Sequence, residues 1–305
     1  MTKSTGFAIP TIYGFLYDGI RDYLADKGVV DPAQGYVGAT VEHQKYLTAF
    51  SGINTNYRDL LGTRLKTIGA DSVEPINQFL QTEGFNIQLQ PFSDAEDVGG
   101  AGVLHVGVEW LFKGSKTSIY TLDDAGSYQS YPGVEIKGGV RFFTAPSHPN
   151  PIVQVGTKTD DMVYMTIASQ PLEGIDLYLR LAELQATKRI DQGAYFDGVR
   201  FPMIDLDVQP DITSLKGLML PRPQGRPYEV MQAVSQVMFK MNEKGAQTDA
   251  AAAGSVGITS GPMAMMLNKP FWLWKTAGEL QAPVLTAYLD IDSWSDPGDF
   301  DINNG

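Results

Sequence analysis

The segment 242–263 reads NEKGAQTDAAAAGSVGITSGPM and places a run of alanines between Gly245 and Gly254. Consecutive alanines favour a helix, but the segment begins and ends with the glycines that are typical of a loop. A buried helix would repeat its apolar residues about every 3.6 positions and would avoid glycine, and a plain linker would not need the alanines. Neither a helix nor a plain linker explains the segment, so a different periodicity has to be considered.

The segment separates cleanly when it is read with the period of two that a β-strand imposes. One face then carries small, almost wholly apolar side chains, which are Ala246, Thr248, Ala250, Ala252, Gly254 and Val256. The other face carries Gln247, Asp249, Ala251, Ala253 and Ser255. Small inward side chains need little room in a packed core, and polar outward ones can stay in water. The pattern predicts an exposed loop that can enter a sheet as an additional strand.

The composition excludes several classes of function. A net charge of -12, from 35 acidic and 23 basic residues, disfavours binding to nucleic acid or to an anionic membrane surface. The chain has no cysteine, so it can form no disulfide, thiol nucleophile or thiolate metal site. No stretch approaches the roughly 20 apolar residues that cross a bilayer, and Pro10 interrupts what would be a signal core. We expect a protein without a signal peptide or a membrane partner, and favour the cytoplasm.

The first part of the chain is predicted to be helical. Apolar side chains spaced by three and four predict a helix over 11–26, and helices are also predicted over 40–50 and 57–69. The helical part therefore covers about 1–90.

The rest of the chain, about 91–305, is predicted to be rich in strands. Short β-branched or aromatic runs are separated there by Gly, Pro and Asp, and lie at 103–112, 139–143, 152–156, 162–169, 199–208, 270–275 and 283–291. One helix is predicted among them, over 173–189. Helices first and strands later indicate an α+β fold with mainly antiparallel sheets, which we treat as a single domain over 1–305.

Metal and cofactor sites are not indicated. The three histidines lie far apart, none in a metal-binding spacing, and are expected to be structural; they are His43, His105 and His148. The acidic stretch that begins at Asp290 lacks the spacing of a calcium loop and is predicted to be a solvated tail. We expect no metal and no cofactor.

Catalytic motifs are not indicated either. Glycines 99, 100 and 102 lack the further glycine of a dinucleotide fingerprint and are predicted to form a turn before a strand. In GITSG, at 257–261, the serine sits one place too late for a nucleophile elbow. Since no acid, base and nucleophile come together, the protein is not expected to be an enzyme.

Several short motifs, in order along the chain, resemble the serpin family of conformational protease inhibitors. Glu243, Lys244, Gly245 and the alanine-rich run resemble the hinge that precedes the reactive loop of that family. Further matching stretches are INQFLQTEG, VEWLFKG, VRFPMIDLDVQPDITSLKGL, LNKPFWLWK and APVLTAYLDID. The resemblance covers about 73–296 and is strongest after residue 199.

The resemblance implies a reactive loop over about 243–266. Its hinge would comprise Glu243, Lys244, Gly245, Ala246, Thr248, Ala250 and Ala252. The bait bond would join Thr259 to Ser260, with Ile258 as the alternative bait residue. A target serine or cysteine protease would be acylated by the loop and trapped as the loop inserts into the central sheet. A small β-branched bait suits an elastase-like or subtilisin-like target, because a trypsin-like enzyme would require Arg or Lys.

The chain also departs from the family. Its N-terminal helical part is shorter, and Val108 and Ser235 stand where the family generally has an Asn and a His that clasp the central sheet. Two interpretations therefore remain open. One is an inhibitor, and the other is a non-inhibitory structural or interaction protein on the same fold, as a homo-oligomer or a subunit of a larger assembly.

Overall fold

The computed structural model describes residues 7–8, 10–31, 35–51, 57–94, 96–104, 107–122, 126–244 and 263–299. The helices in this part of the chain are α1 (Pro10–Asp26), α2 (Val41–Ser51), α3 (Tyr57–Leu61), α4 (Val73–Thr82) and α5 (Gly174–Thr187). The helices predicted over 11–26, 40–50 and 173–189 are thus confirmed. In α4, buried Val73, Ile76 and Leu80 lie three and four residues apart and form the face that packs on the protein.

The strands, in chain order, are β1 (Phe7–Ala8), β2 (Leu65–Ala70), β3 (Gly99–Leu104), β4 (Ser115–Leu122), β5 (Tyr128–Lys137), β6 (Val140–Ala145), β7 (His148–Gly156), β8 (Met162–Ile167), β9 (Arg189–Ile190), β10 (Gly198–Pro202), β11 (Ile204–Val208), β12 (Met219–Leu220), β13 (Tyr228–Glu229), β14 (Val237–Met241), β15 (Met265–Met266), β16 (Phe271–Ala277) and β17 (Leu280–Leu289). Short 3-10 turns cover Gly62–Arg64, Thr213–Leu215 and Ile291–Ser293.

The largest sheet has seven strands in the order β1-β17-β16-β8-β7-β6-β9, and the pairings along it are antiparallel. Every residue of β16, an interior strand of this sheet, is buried. Successive side chains of a strand point to opposite faces, so Trp272 and Trp274 pack with α5 while Phe271 and Leu273 pack on the other side.

A four-stranded sheet, β15-β10-β5-β4, packs on that other side. Val199 and Phe201 of β10 and Ile119 of β4 share one apolar cluster with Leu273. The architecture is therefore layered, with α5, the seven-stranded sheet and the four-stranded sheet in succession.

Three two-stranded antiparallel ladders complete the described structure: β2 with β3, β11 with β14, and β12 with β13. α1 packs against β2 and β3 very closely, since a Cβ at Gly69 would lie 2.5 Å from the carbonyl oxygen of Gly19. The opposite face of the same ladder carries Ala101 and Val103, which pack against α4. Small residues thus allow two helices to enclose the ladder.

Three sequence predictions were wrong, wholly or in part, in this region. The helix predicted over 57–69 ends at Leu61, and Leu65–Ala70 is strand β2, because all of its residues pair with β3 and this pairing overrides the local helical pattern. Glycines 99, 100 and 102 lie inside β3 and do not form the expected turn. Of the strand predicted over 103–112, only the start belongs to β3, and Trp110 forms an isolated bridge with Thr157.

The C-terminal acidic stretch is not the solvated tail expected from sequence. Asp290, Ser293 and Trp294 are buried. The Trp294 ring meets Tyr131 edge to face, with 5.4 Å between the ring centroids. An aromatic anchor therefore ties this stretch to β5. Within the described residues, no helix is long and apolar enough to cross a membrane.

Candidate functional site

The candidate site is the cleft between β3 and the stretch 232–241, which contains β14. Among the described residues, β3 pairs only with β2 and β14 only with β11, so each has one edge without a strand partner. The two strands run in the same direction: Gly100 lies near Gln232 at their starting ends, while Trp110 after β3 reaches Asn242 after β14. A strand running the opposite way between them could pair with both.

A stretch that we call the strap, residues 85–90, lies along this cleft. Its side chains alternate: Phe85, Ile87 and Leu89 are half-buried, whereas those between them are exposed. The three apolar side chains pack on the cluster of α4 and β3 that contains Ile76 and Val103. The side chains of the strap thus alternate as they do in a β-strand, although its backbone forms no β-ladder with another described segment.

Glutamine side chains hold the strap from the β14 side of the cleft. The backbone N–H of Asn86 donates to Oε1 of Gln236 at 2.8 Å. The N–H of Gln90 donates to Oε1 of Gln232 at 2.8 Å, and Nε2 of Gln232 donates to the Gln90 carbonyl at 3.0 Å. Because residue 86 meets 236 and residue 90 meets 232, the strap runs antiparallel to this stretch, in the direction that an inserted strand would take.

An asparagine holds the strap from the α4 side. Nδ2 of Asn77 donates to the carbonyl of Leu89 at 3.1 Å, and the N–H of Leu89 donates to Oδ1 of Asn77 at 2.9 Å. Each such neutral hydrogen bond contributes on the order of 1 kcal/mol net. The strap is therefore held by a few side-chain amides, and a strand with a full backbone ladder could replace it.

The head of the cleft fixes the residues where the predicted reactive loop would begin. The indole N–H of Trp110 donates to the carbonyl of Asn242 at 3.0 Å, and the N–H of Gly114 donates to the carbonyl of Glu243 at 2.8 Å. A Cβ at Gly114 would lie 2.4 Å from Cγ1 of Val134, so only glycine allows this approach. The path of the chain is thus defined up to the hinge.

The two charged hinge residues have different surroundings. Glu243 is only 8% exposed, its Oε1 lies 3.7 Å from Nζ of Lys116, and its buried Oε2 has no hydrogen-bond partner among the described residues. Lys244 extends to Asp299, with 2.6 Å between Nζ and Oδ1, and this hydrogen bond holds the pKa of the Asp299 carboxyl below its usual value. The Glu243 carboxylate is therefore poorly compensated where it lies, and leaving this position would relieve its desolvation.

After residue 262 the chain re-enters the described structure at β15, the opposite edge of the four-stranded sheet. Ser115, Glu135, Arg200 and Met266 lie side by side across its strands, and the hinge contacts Gly114 at the first edge. Three strand spacings separate the edges by about 15 Å. The connection 245–262 could span about 60 Å if extended, so its length exceeds what this crossing needs.

A buried ion cluster ties β2 and β3 to the seven-stranded sheet. Nζ of Lys275 and Nη1 of Arg64 lie 2.8 and 2.7 Å from the same oxygen of Asp161. Lys275 also donates to the carbonyl of Gly107, just after β3. Burial lowers the pKa of Lys275 to about 8 despite the nearby carboxylate. Burial alone would raise the pKa of Asp161, but Lys275 and Arg64 outweigh it and hold that pKa below its usual value.

Of the site residues that the sequence predicts, Glu243 and Lys244 lie at the head of the cleft. The others lie outside the described residues: hinge positions Gly245, Ala246, Thr248, Ala250 and Ala252, and bait positions Ile258, Thr259 and Ser260. Sequence reasoning missed the strap and its amide partners. The alternation in FNIQLQ, at 85–90, is the signal that could have located the strap.

The histidines take no part in the cleft where they are described. His43 Nε2 lies 3.0 Å from the carbonyl of Lys216, and His148 Nε2 lies 2.8 Å from Oγ1 of Thr166; both rings are buried. His105 lies outside the described residues. No cluster of three potential metal ligands occurs within the ranges that the structure describes.

No protein-family model and no curated protein sequence matches the chain. Solved structures do match. Human kallistatin has 12% identity and a TM-score of 0.57, over 96% of this chain and 92% of its own. SRPN18 from Anopheles gambiae has 9% identity and a TM-score of 0.56, over 97% and 94%. Human thyroxine-binding globulin, solved with its hormone, has 9% identity and a TM-score of 0.51, over 92% and 96%.

These three proteins are serpins, so the chain has a serpin fold, and the α+β, serpin-like architecture expected from sequence is confirmed. Identities this low establish the fold alone.

Proposed function

We propose that the protein is a conformational inhibitor of a serine or cysteine protease, with 243–266 as its reactive loop. The observation that carries this proposal is the pair of co-directional strands β3 and β14, whose facing edges lack strand partners among the described residues and which end directly below the hinge. A loop strand descending from the hinge would pair with both. It would join the ladders β2–β3 and β11–β14 into one five-stranded sheet.

The proposed reaction begins as ordinary proteolysis. The protease nucleophile attacks the Thr259 carbonyl, Ser260 leaves as the new amino terminus, and Thr259 becomes esterified to the enzyme. The freed segment then inserts below Glu243, with its small side chains facing inward, and the attached enzyme is carried along and distorted before water can release it. The size of Thr259 supports an elastase-like or subtilisin-like target.

The direct test is formation of a covalent complex that survives denaturing electrophoresis. We expect such a complex with an elastase or subtilisin and none with trypsin. Thr259→Arg should transfer complex formation to trypsin. Cleavage of the loop by every protease, with no complex, would contradict inhibition.

A matched pair of variants separates insertion from simple exposure of the loop. Ala250 lies on the predicted inward face and Ala251 on the outward face, so Ala250→Glu would bury a charge on insertion whereas Ala251→Glu would leave it in water. We expect Ala250→Glu to turn the inhibitor into a substrate and Ala251→Glu to inhibit normally. Equal behaviour of the two variants would argue against the proposed register.

A second candidate function is a non-inhibitory interaction protein. β4 is an edge strand, and at its end Tyr120, Leu122 and Tyr128 of the adjoining β5 are 56%, 52% and 77% exposed. A group of exposed apolar side chains on a sheet edge favours contact with another chain. Concentration-dependent assembly in sedimentation, lost in Leu122→Ser and Tyr128→Ser, together with no protease complex, would support this function instead.

A further inference from the structure

A cavity of about 320 Å³ lies beside the cleft, between the chain that enters β3 and the β12–β13 hairpin. Its apolar wall includes Leu89, Phe92, Val98, Leu220 and Tyr228. This volume is near the lower end for small-molecule sites, which are typically about 300–1,000 Å³. The cavity therefore has room for a small organic molecule with an apolar body.

The loop at the mouth of the cavity is stiff and carries two arginines. It reads PRPQGRP, residues 221–227, and its prolines restrict the backbone. Gly225 has a φ of 88°, which favours glycine, and a Cβ there would lie 2.4 Å from Nη2 of Arg222. The other neighbour of the Arg222 guanidinium is the Tyr228 ring, whose centroid is 5.3 Å away. Arg222 is thus held between a backbone and an aromatic ring, in a protein that is acidic overall.

Among the residues that the structure describes, Arg222 also lacks strong anionic partners. Its Nε is buried and has no hydrogen-bond partner among the described residues, and its closest carboxylate, Glu96, lies 4.0 Å from Nη1. Glu96 is 81% exposed, so this contact is weak. A guanidinium offers donors in a fork that fits a carboxylate with two parallel hydrogen bonds. The Arg222 guanidinium is therefore a positioned cation that can bind an anion.

The other carboxylates at the mouth are engaged or point to water. Oδ2 of Asp97 accepts the N–H groups of Ser93 and Asp94, and Oδ1 of Asp94 accepts that of Glu96. Glu229 is exposed. Arg226, which is also exposed, adds a second positive charge to the mouth. Glu96 is thus the carboxylate that a bound anion would have to displace from Arg222.

We propose that this cavity binds a small amphipathic carboxylate, with its apolar body against Phe92 and Leu220 and its carboxylate on Arg222 in place of Glu96. The lining residues of the cavity are outside 243–266, and binding to the intact protein requires no protease and no insertion.

The test is calorimetric titration of the full chain with 2-naphthoate and with its uncharged analogue 2-naphthamide. We expect the acid to bind at least about tenfold more tightly than the amide, since a charged hydrogen bond contributes about 1.5–3 kcal/mol. Arg222→Gln should reduce the affinity for the acid to that for the amide. Arg141→Gln, an exposed arginine on β6, serves as the matched control and should change nothing.

Glu96→Gln gives the sharpest outcome, because Glu96 is exposed and its replacement should not disturb folding. Removal of the competing carboxylate should tighten naphthoate binding by about threefold, as expected for a weak exposed ion pair. Weaker binding in Glu96→Gln, equal affinity for acid and amide, or no saturable binding of the acid would each overturn the proposal.

Discussion

The seven-stranded sheet and the two ladders that border the cleft are built in opposite ways. β16 pairs on both sides, and its enclosed side chains include Trp272 and Trp274. Within the described part of the chain, β3 pairs on one side only; it consists largely of Gly and Ala, and it faces a strap that is held by side-chain amides. The seven-stranded sheet is therefore a scaffold, because its rearrangement would break many contacts. The ladders at the cleft have fewer contacts, which can be exchanged at a small cost in free energy.

The largest effect is expected within the scaffold. The indole ring of Trp274 is fully buried, stacks on Tyr164 at 5.2 Å and donates to Gln185. Trp274→Ala should lower the free energy of unfolding by about 3–5 kcal/mol, since a large cavity would remain. Urea denaturation measures the loss, and Tyr195→Ala, at an exposed position, should change the free energy by less than about 0.5 kcal/mol. Similar losses of unfolding free energy in both variants would contradict the role of the seven-stranded sheet as a scaffold.

The next effect is expected at the buried ion cluster that connects the two regions. Asp161→Asn would leave the cations of Lys275 and Arg64 facing each other without a counter-charge. Loss of one partner from a buried ion cluster costs about 3 kcal/mol or more, whereas Glu109→Gln, in the partly exposed pair with Lys158, should cost about 1 kcal/mol at most. Thermal and urea unfolding of the two variants measure these losses. Equal stability of the two variants would show that the cluster does not hold the two regions together.

A smaller effect on stability, but a specific one, is expected in the strap. Gln232→Ala together with Gln236→Ala removes three hydrogen bonds to the strap backbone and the one from Nε2 of Gln236 to Asp207, and should cost about 2–3 kcal/mol. Hydrogen exchange at the amides of Asn86 and Gln90 should accelerate, with no change at the amides of β16. Gln88→Ala, an exposed strap position, is the control. Unchanged exchange in the double variant would contradict the role of the glutamines.

The last effect concerns pH, and it is the smallest when it is taken per pH unit. The pKa of Lys275 is about 8 in the folded protein and near 10.5 when unfolded, so between these values the unfolded chain binds the extra proton. Stability should therefore rise with pH across this window, by less than about 1.4 kcal/mol per pH unit. Since Lys275→Met removes the group, the difference in unfolding free energy between wild type and variant should shift in favour of wild type from pH 7.5 to 9.5. A shift in the other direction would show that burial does not dominate at Lys275.

Local patterns in the sequence were sufficient to predict the helices and strands that have a clear local signal. They were insufficient to predict those that depend on pairing with distant residues. The three-and-four spacing in α1 and the run of aromatic and aliphatic side chains in β16 are local signals. β2 was predicted as a helix because its state depends on pairing with β3, more than 30 residues later. The amide contacts of the strap join residues 142 and 150 positions apart, and only the tertiary fold brings these together. The hinge was predicted from the order of its motifs, and the burial of Glu243 could not be deduced from the sequence.

The measurement that tests the central claim is a thermal melt of the intact protein beside the same protein cleaved once within 254–261 by a non-target protease. If the freed segment completes a five-stranded sheet across the cleft, the new ladders should raise the melting temperature by about 20 °C or more, since each kcal/mol is worth about 2–4 °C in a domain of 150–250 residues. An unchanged or lower melting temperature would show that the loop does not insert, and would contradict the inhibitory mechanism.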